Sequence, residues 1–222
     1  MASARFRLWQ LLSPTLPIGA YAYSHGLEFA VEAGWVREEK DTKGWIEGQV
    51  KSVLGLLDVP VLARLYRGWS EGDTRALEYW TRLLLAARES GELLAEERNL
   101  GTALARLLLA LGVENAREWR AASHTSYVAM FALGASHWDI PVEEAAEAYV
   151  WTWCEKQVAA AVKLVPLGQT AGQRLLLQLA DVIPQAVEKG LDLTDEQIGG
   201  LAPGLGIASA LHEVQYTRLF RS

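Results

Sequence analysis

The sequence predicts an all-α fold, a single-domain bundle of roughly eight to ten helices. Three observations carry that expectation. Apolar residues return at helical spacing in one segment after another, as in Trp45, Ile46, Val50, Val53, Leu54 and Leu57, or Leu93, Leu94, Leu100, Leu104, Leu107, Leu108 and Leu111. No stretch shows the apolar–polar alternation of a half-buried strand. The longest apolar run, residues 145–179, carries only Lys163 and Arg174 as charges beyond Gln157, so it is apolar on more than one face, as a helix in the middle of a bundle must be.

Taken in order, Phe6, Leu8, Trp9, Leu11 and Leu12 form a short helix that ends at Ser13, because a residue preceding proline avoids the helical region. A loop rigid at Pro14 and Pro17 and loose at Gly19 follows, and Ser24 is placed to cap a helix with Leu27, Ala30 and Val31 inward and Gly34 at its end. The helix through Trp45 and Leu57 is expected to stop at Asp58, with Pro60 in the first turn of another that carries Val61, Leu62, Leu65, Tyr66 and Trp69. Gly72-Asp73 turns the chain into a helix with Leu77, Trp80, Leu83, Leu84 and Ala87, and Gly91 separates this from the leucine-rich helix that ends at Gly112. A helix around 123–136 precedes Asp139-Ile140-Pro141, read as the cap and first turn of the central run. Pro166 lacks an N–H and clashes with the carbonyl four residues back, so that run kinks or restarts there, while Gly168 and Gly172 admit a close neighbour. Residues 192–195 cap a last short pair of helices broken by Gly199, Gly200, Pro203 and Gly204. These breaks leave the tail at 212–222 free to move, and the expectation is a segment disordered or loosely docked until a partner orders it.

A chain of 222 residues can bury a core without disulfides or structural metal, and no linker divides it, so residues 1–222 are expected to form one domain. The single Cys154 cannot close an intramolecular disulfide, which fits a reducing compartment. Arg5 and Arg7 are followed by too few apolar residues for an export leader, so the expected location is the cytoplasm. A formal net charge of −6 argues against nucleic acid, whose binding needs clustered Lys and Arg to release counterions. Lys163, Pro166, Gln169 and Gln173 inside the apolar run argue against a membrane span. Protein partners remain, and nine Trp leave some aromatic surface for them beyond the core.

The chain has no Gly-Lys dipeptide and therefore no phosphate-binding loop of the P-loop kind. His25-x-x-Glu28, with Glu32 one turn on, is the nearest approach to a carboxylate-bridged metal site, and a metal-dependent helical-bundle enzyme using His25, Glu28 and Glu32 is the alternative to a binding protein. The other histidines, His124, His137 and His212, are too scattered to complete a ligand set, and Cys154 between two Trp-rich turns reads as an inert core thiol. Lys163, an ammonium in a nearly uncharged helix, either reaches an acidic neighbour or stands exposed beside the Pro166 break. Arg88, Glu89, Glu92, Glu96, Glu97 and Arg98 read as a solvated helix face with an Arg88–Glu92 pair.

Three blocks together resemble the urease accessory protein family UreF: Leu16-Pro-Ile-Gly-Ala-Tyr-Ala-Tyr-Ser-His-Gly-Leu-Glu28, Val162-Lys-Leu-Val-Pro-Leu-Gly-Gln-Thr-Ala-Gly-Gln173 and His212-Glu-Val-Gln-Tyr-Thr-Arg-Leu-Phe-Arg-Ser222. A looser fourth block, residues 88–98, falls between them in the same order, so the resemblance spans the chain. It departs at Ala20, where the family commonly has a second glycine, at Tyr21-Ala22, and at Lys156. The resemblance implies an all-α scaffold without catalysis or cofactor of its own, homodimeric, acting with UreD (UreH in some organisms) to recruit and regulate the GTPase UreG for nickel insertion into apo-urease. Its implied partner-binding residues are Tyr23, Ser24, Glu28, Arg88, Glu97, Lys163, Gln169, Gln173, His212, Glu213, Tyr216, Arg218, Leu219, Phe220, Arg221 and Ser222. Tyr23, Ser24 and Glu28 would face the GTPase or the dimer partner. An arginine finger from Arg88 or Arg98 needs an exposed flexible loop, and both are read here on a helix.

Overall fold

The computed structural model describes residues 3–222. Its helices run α1 (Ala4–Leu12), α2 (Leu27–Glu32), α3 (Glu39–Gln49), α4 (Val59–Glu71), α5 (Thr74–Ala86), α6 (Gly91–Ala110), α7 (Tyr127–His137), α8 (Val142–Leu164), α9 (Gln169–Ala180), α10 (Ile183–Asp192) and α11 (Pro203–His212), and no strand occurs among the described residues. α3 passes through a π-helical stretch, Val50–Asp58, into α4 without a break, so these form one rod. The all-α expectation holds.

Side chains set most of the starts. Asp73 accepts from the N–H groups of Arg75 and Ala76 at α5, Ser90 from Leu93 at α6 and Ser126 from Ala129 at α7, each satisfying donors that a helix leaves free in its first turn. Gly72 ends α4 in the left-handed conformation, φ 69°. At Pro166 the run restarts rather than kinks: Val165 is extended and α9 begins at Gln169. α9 folds back on α8, and the missing Cβ of Gly172 lets it approach, since a methyl there would stand 3.0 Å from Val162 Cγ2.

Four local expectations are corrected. Pro60 does not stop the helix before it. The rod continues through π turns that leave Asp58 buried, and beside Pro60 the Leu56 carbonyl accepts from the Gly199 N–H at 3.0 Å. Ser24 is not the cap residue of α2, which starts after left-handed Gly26; the Ser24 hydroxyl still accepts from the Glu28 N–H at 3.3 Å. Asp139 is left-handed and caps nothing, leaving Pro141 at the start of α8. α10, with Pro184 in its first turn, was not anticipated as a separate helix.

Every residue in 127–135 is buried, which makes α7 the innermost helix, packed chiefly on α4 and α6. α8 touches more elements than any other, including α1, α2, α4, α7, α9 and α10, and so holds the central position expected of residues 145–179. A second, smaller cluster joins Leu27, Ala30 and Val36 to Ala160, Ala161, Val165 and, from the tail, Phe220. Among the described residues no helix is long and apolar enough to cross a membrane.

Glycine substitutions test this packing. A Cβ on Gly101 would overlap the backbone of Ser126, whereas one on Gly44 meets nothing. Gly101→Ala is therefore expected to destabilise by about 1–3 kcal/mol, and Gly44→Ala to stabilise by up to about 1 kcal/mol. Thermal melts of the two variants should move in opposite directions.

Candidate functional site

The centre of the bundle holds a charge cluster that no local reading of the sequence assembles. Arg88 lies between α5 and α6, and its guanidinium donates from both Nη atoms to the carboxylate oxygens of Asp58, at 2.9 and 3.1 Å, and from Nη2 to Glu97 at 2.7 Å. All three side chains are nearly sealed from solvent. The Tyr149 hydroxyl of α8 donates to Asp58 at 2.8 Å, and the Val128 N–H at the start of α7 donates to the other oxygen of Glu97 at 3.0 Å. Burial alone would pull a proton off Arg88, but Asp58 and Glu97 hold its pKa well above the usual value. Burial and the same two carboxylates push the Tyr149 phenol up. The expected solvated face with an Arg88–Glu92 pair is thus corrected: Arg88 and Glu97 are interior, and Glu92 pairs elsewhere. Arg88 does occupy a connection between helices, but its guanidinium is committed inside the chain and unavailable as a finger.

A second polar group ties the tail to the body. His212, fully buried, faces Glu92 through Nδ1 at 2.7 Å and Glu28 through Nε2 at 3.1 Å. Glu28 also accepts from the backbone N–H groups of Leu219 at 2.7 Å and Phe220 at 2.9 Å, and Glu92 accepts from Arg218 at 2.8 Å. Farther along, the Arg221 N–H donates to the Ala22 carbonyl at 2.8 Å, and the main-chain oxygen of Ser222 accepts from both the N–H and the hydroxyl of Ser24. The Ser222 hydroxyl donates to Glu96 at 2.8 Å, and Glu96 meets His25 Nδ1 at 3.3 Å. Burial would raise the Glu96 pKa, yet His25, Lys156 and Ser222 together hold it below the ordinary carboxylate value.

The expectation of a free or loosely docked tail is therefore corrected. Phe220 and Ser222 are buried, and hydrogen bonds run along residues 218–222 because a chain emerging from α11 meets carboxylates of α2 and α6 aimed at its N–H groups. Of the residues the sequence singled out, Tyr23, Ser24, Glu28, Arg88, Glu97, His212, Phe220 and Ser222 lie inside the chain, so Tyr23, Ser24 and Glu28 offer no face to a partner here. The Tyr23 hydroxyl instead accepts from Asn99 Nδ2 at 3.2 Å. Lys163, Gln169, Gln173, Glu213, Tyr216, Arg218, Leu219 and Arg221 are exposed, and Lys163 stands over the Phe220 ring, 5.5 Å from its centroid, and makes no ion pair among the described residues. The alternative metal site does not form. His25 faces Glu96, Glu28 faces His212 and Glu32 is exposed; among the described residues no three His, Cys, Asp or Glu side chains are grouped to hold a metal ion. Cys154 is buried, and burial pushes its thiol up to about 12.

Sequence reasoning missed Asp58, Glu96 and Tyr149, whose partners are distant in the chain, and it missed an apolar stripe. Ile207, Leu211 and Val214 recur at helical spacing and are exposed, opposite the buried Leu205, Ala208 and His212. With Tyr216 and Leu219 they make an apolar surface at the C-terminal end, and Val214, at 80% exposed, and Leu219, at 65%, are unshielded within the chain. The two-sided pattern of α11 was there to be read.

Fold and site together define a helical bundle in which one set of ionisable groups is buried and joins helices and tail, and in which an apolar surface lies at the C-terminal end. The sequence model of the UreF family matches residues 36–180. Over 219 residues the chain is 53% identical to the urease accessory protein UreF of Alkalilimnicola ehrlichii, covering 99% of this chain and 96% of that one. It is 49% identical to the UreF of Pseudomonas putida, over 99% and 98% of the two chains, and 44% identical to that of Alcanivorax borkumensis, over 99% of each. The chain belongs to the UreF family of urease accessory proteins.

Two outcomes follow from the polar centre. Arg88→Met strands Asp58 and Glu97 in the interior and should destabilise by about 3–5 kcal/mol, read by denaturant unfolding. Glu96 has a folded pKa below its ordinary 4.5, so its contribution is present above that pH and is lost as the pH falls through the folded value. Glu96→Gln should flatten the decline of melting temperature below pH 4.5, with little change in that slope between pH 6 and 8.

Proposed function

We propose that this chain is a non-enzymatic scaffold of urease maturation, which with the UreD/UreH accessory protein recruits and regulates the GTPase UreG so that nickel, the cargo, enters apo-urease. It acts in the cytoplasm as a homodimer. One observation supports the reading above the rest: Ile207 and Leu211 on α11 and Val214, Tyr216 and Leu219 after it face outward, while His212, Phe220 and Ser222 are buried and Glu28 holds the backbone of Leu219 and Phe220. Apolar and aromatic groups kept in water by a firmly anchored segment are what a partner surface requires, and Arg221 beside them supplies a forked donor for a carboxylate. The central acids and bases, by contrast, are taken up by one another, which suits cohesion better than turnover. UreD/UreH is the partner proposed for this face. The exposed amides of Gln169 and Gln173, on the first turns of α9 after Pro166, are proposed to meet another member of the complex.

Removing residues 216–222 would also remove the buried Phe220 and Ser222, so point variants separate binding from folding. Val214→Ala, Tyr216→Ala and Leu219→Ala together should weaken capture of UreD/UreH by 30-fold or more, the equivalent of one hot spot of about 2 kcal/mol, while thermal unfolding stays at the parent value. Undiminished capture would sink the assignment. Gln169→Ala with Gln173→Ala should likewise leave melting unchanged but reduce urease activation in cells, and a large stability loss would instead make these amides structural.

A further inference from the structure

Two cavities meet at one wall. The outer one, about 130 Å³, lies between α1, the loop after it and α8, with Leu11, Leu12, Ile18 and Ala160 among its apolar walls. The inner one, about 20 Å³, is the small chamber of the Arg88–Asp58–Glu97 cluster. Tyr127 and Lys156 border both.

Among the described residues neither the Tyr127 hydroxyl nor the Lys156 ammonium makes a hydrogen bond or an ion pair. Tyr127 is 4% exposed and its hydroxyl makes no hydrogen bond. Lys156 holds its ammonium over the Tyr127 ring, 5.0 Å from the centroid, and makes no ion pair among the described residues. Burial draws its pKa down, and the attraction of Glu96 and Glu97 only partly offsets this, so the ammonium is short of counter-charge. A buried donor left unmade is costly, and the Tyr127 hydroxyl, with the Lys156 ammonium beside it at the inner end of an apolar cavity, matches one ligand feature, an anionic acceptor oxygen. Lys163 and Glu155 also border the cavity, so its own charged lining is two lysines and one glutamate, with Glu96 and Glu97 behind the shared wall in the inner chamber. An engineered apolar cavity of about 150 Å³ takes up benzene, so at about 130 Å³ this open-mouthed cavity seats no more than a single ring or a branched alkyl group.

We propose that this cavity binds a small apolar monocarboxylate, the size of benzoate, with its ring or branched alkyl group among Leu11, Leu12, Ile18 and Ala160 and its carboxylate on the Tyr127 hydroxyl and the Lys156 ammonium. Phe220 borders the cavity too, so an occupant packs against the ring that anchors the tail. The site is separate from the apolar surface assigned to a protein partner, and its failure would leave that assignment untouched.

Calorimetric titration of the full chain with benzoate, benzamide and benzylamine tests it, with melting curves of the same mixtures. Benzoate should bind saturably at one site and raise the melting temperature, and benzamide and benzylamine should bind at least tenfold more weakly. Tyr127→Phe and Lys156→Met should each weaken benzoate tenfold or more without bringing benzamide up to it. Ala159 is exposed and borders the cavity, so Ala159→Phe should fill the cavity and abolish binding in a protein that melts like the parent, which keeps the test valid if either interior variant fails to fold. No saturation by about 10 mM benzoate, equal binding of benzamide, or parent-like binding by Ala159→Phe would each overturn the proposal.

Discussion

The bundle depends on one buried cation. Arg88 has been taken out of water together with Asp58 and Glu97, and the desolvation of three charges is repaid only because the fork geometry gives each guanidinium edge an oxygen and the remaining lone pairs find Tyr149 and the Val128 N–H. That one group therefore fixes five pieces of chain at once: the end of the π turn, the α5–α6 connection, the middle of α6, the start of α7 and, through Tyr149, α8. Glu97 adds a carboxylate at the N-terminus of the most buried helix, where the backbone dipole favours negative charge. An apolar cluster of the same volume would pack as tightly but would not dictate this register.

The π stretch ends at Asp58. The rod continues through its turns past Pro60 with Asp58 buried, and the Leu56 carbonyl accepts from the Gly199 N–H. Gly200 then lies directly on Ser52, where no side chain could fit. The segment that leads into α11 is thereby fastened to the same rod that supplies the central acid, so the position of the tail and the position of the charge cluster are set by one feature of α3 and α4.

How far this was legible in the sequence follows from the range of each interaction. Helix class, the turn at Gly72-Asp73 and the restart at Pro166 depend on neighbours within a turn, and the periodicity of Trp45 to Leu57 or Leu93 to Leu111 reports them directly. The same local logic failed at Pro60, where the Leu56 carbonyl accepts from distant Gly199, and at residues 88–98, whose alternating charges look solvated until Asp58 and Ser222 arrive from elsewhere. The tail failed for the same reason. Gly and Pro before it do signal freedom, but Glu28 and Glu96, far back in the chain, hold residues 219, 220 and 222, and their carboxylates in the sequence looked like candidates for metal or surface. Family resemblance singled out Glu28, Arg88, Glu97 and His212 for partner binding, and in the structure the four side chains are buried and join parts of the chain to one another.

The last residues show how one segment serves both fold and surface. Leu219 is out, Phe220 in, Arg221 out and Ser222 in, the two-residue alternation of an extended chain, with the inward pair met by the Leu27–Val165 cluster and by Glu96. Because the backbone is held at Leu219, Phe220 and Arg221, the outward side chains sit on a strap that has already lost its conformational freedom. A partner meeting Tyr216 and Leu219 would not have to order that strap, which leaves more of the contact energy for affinity than a disordered tail would. The inward half of the tail is thus the reason the outward half can serve as a surface.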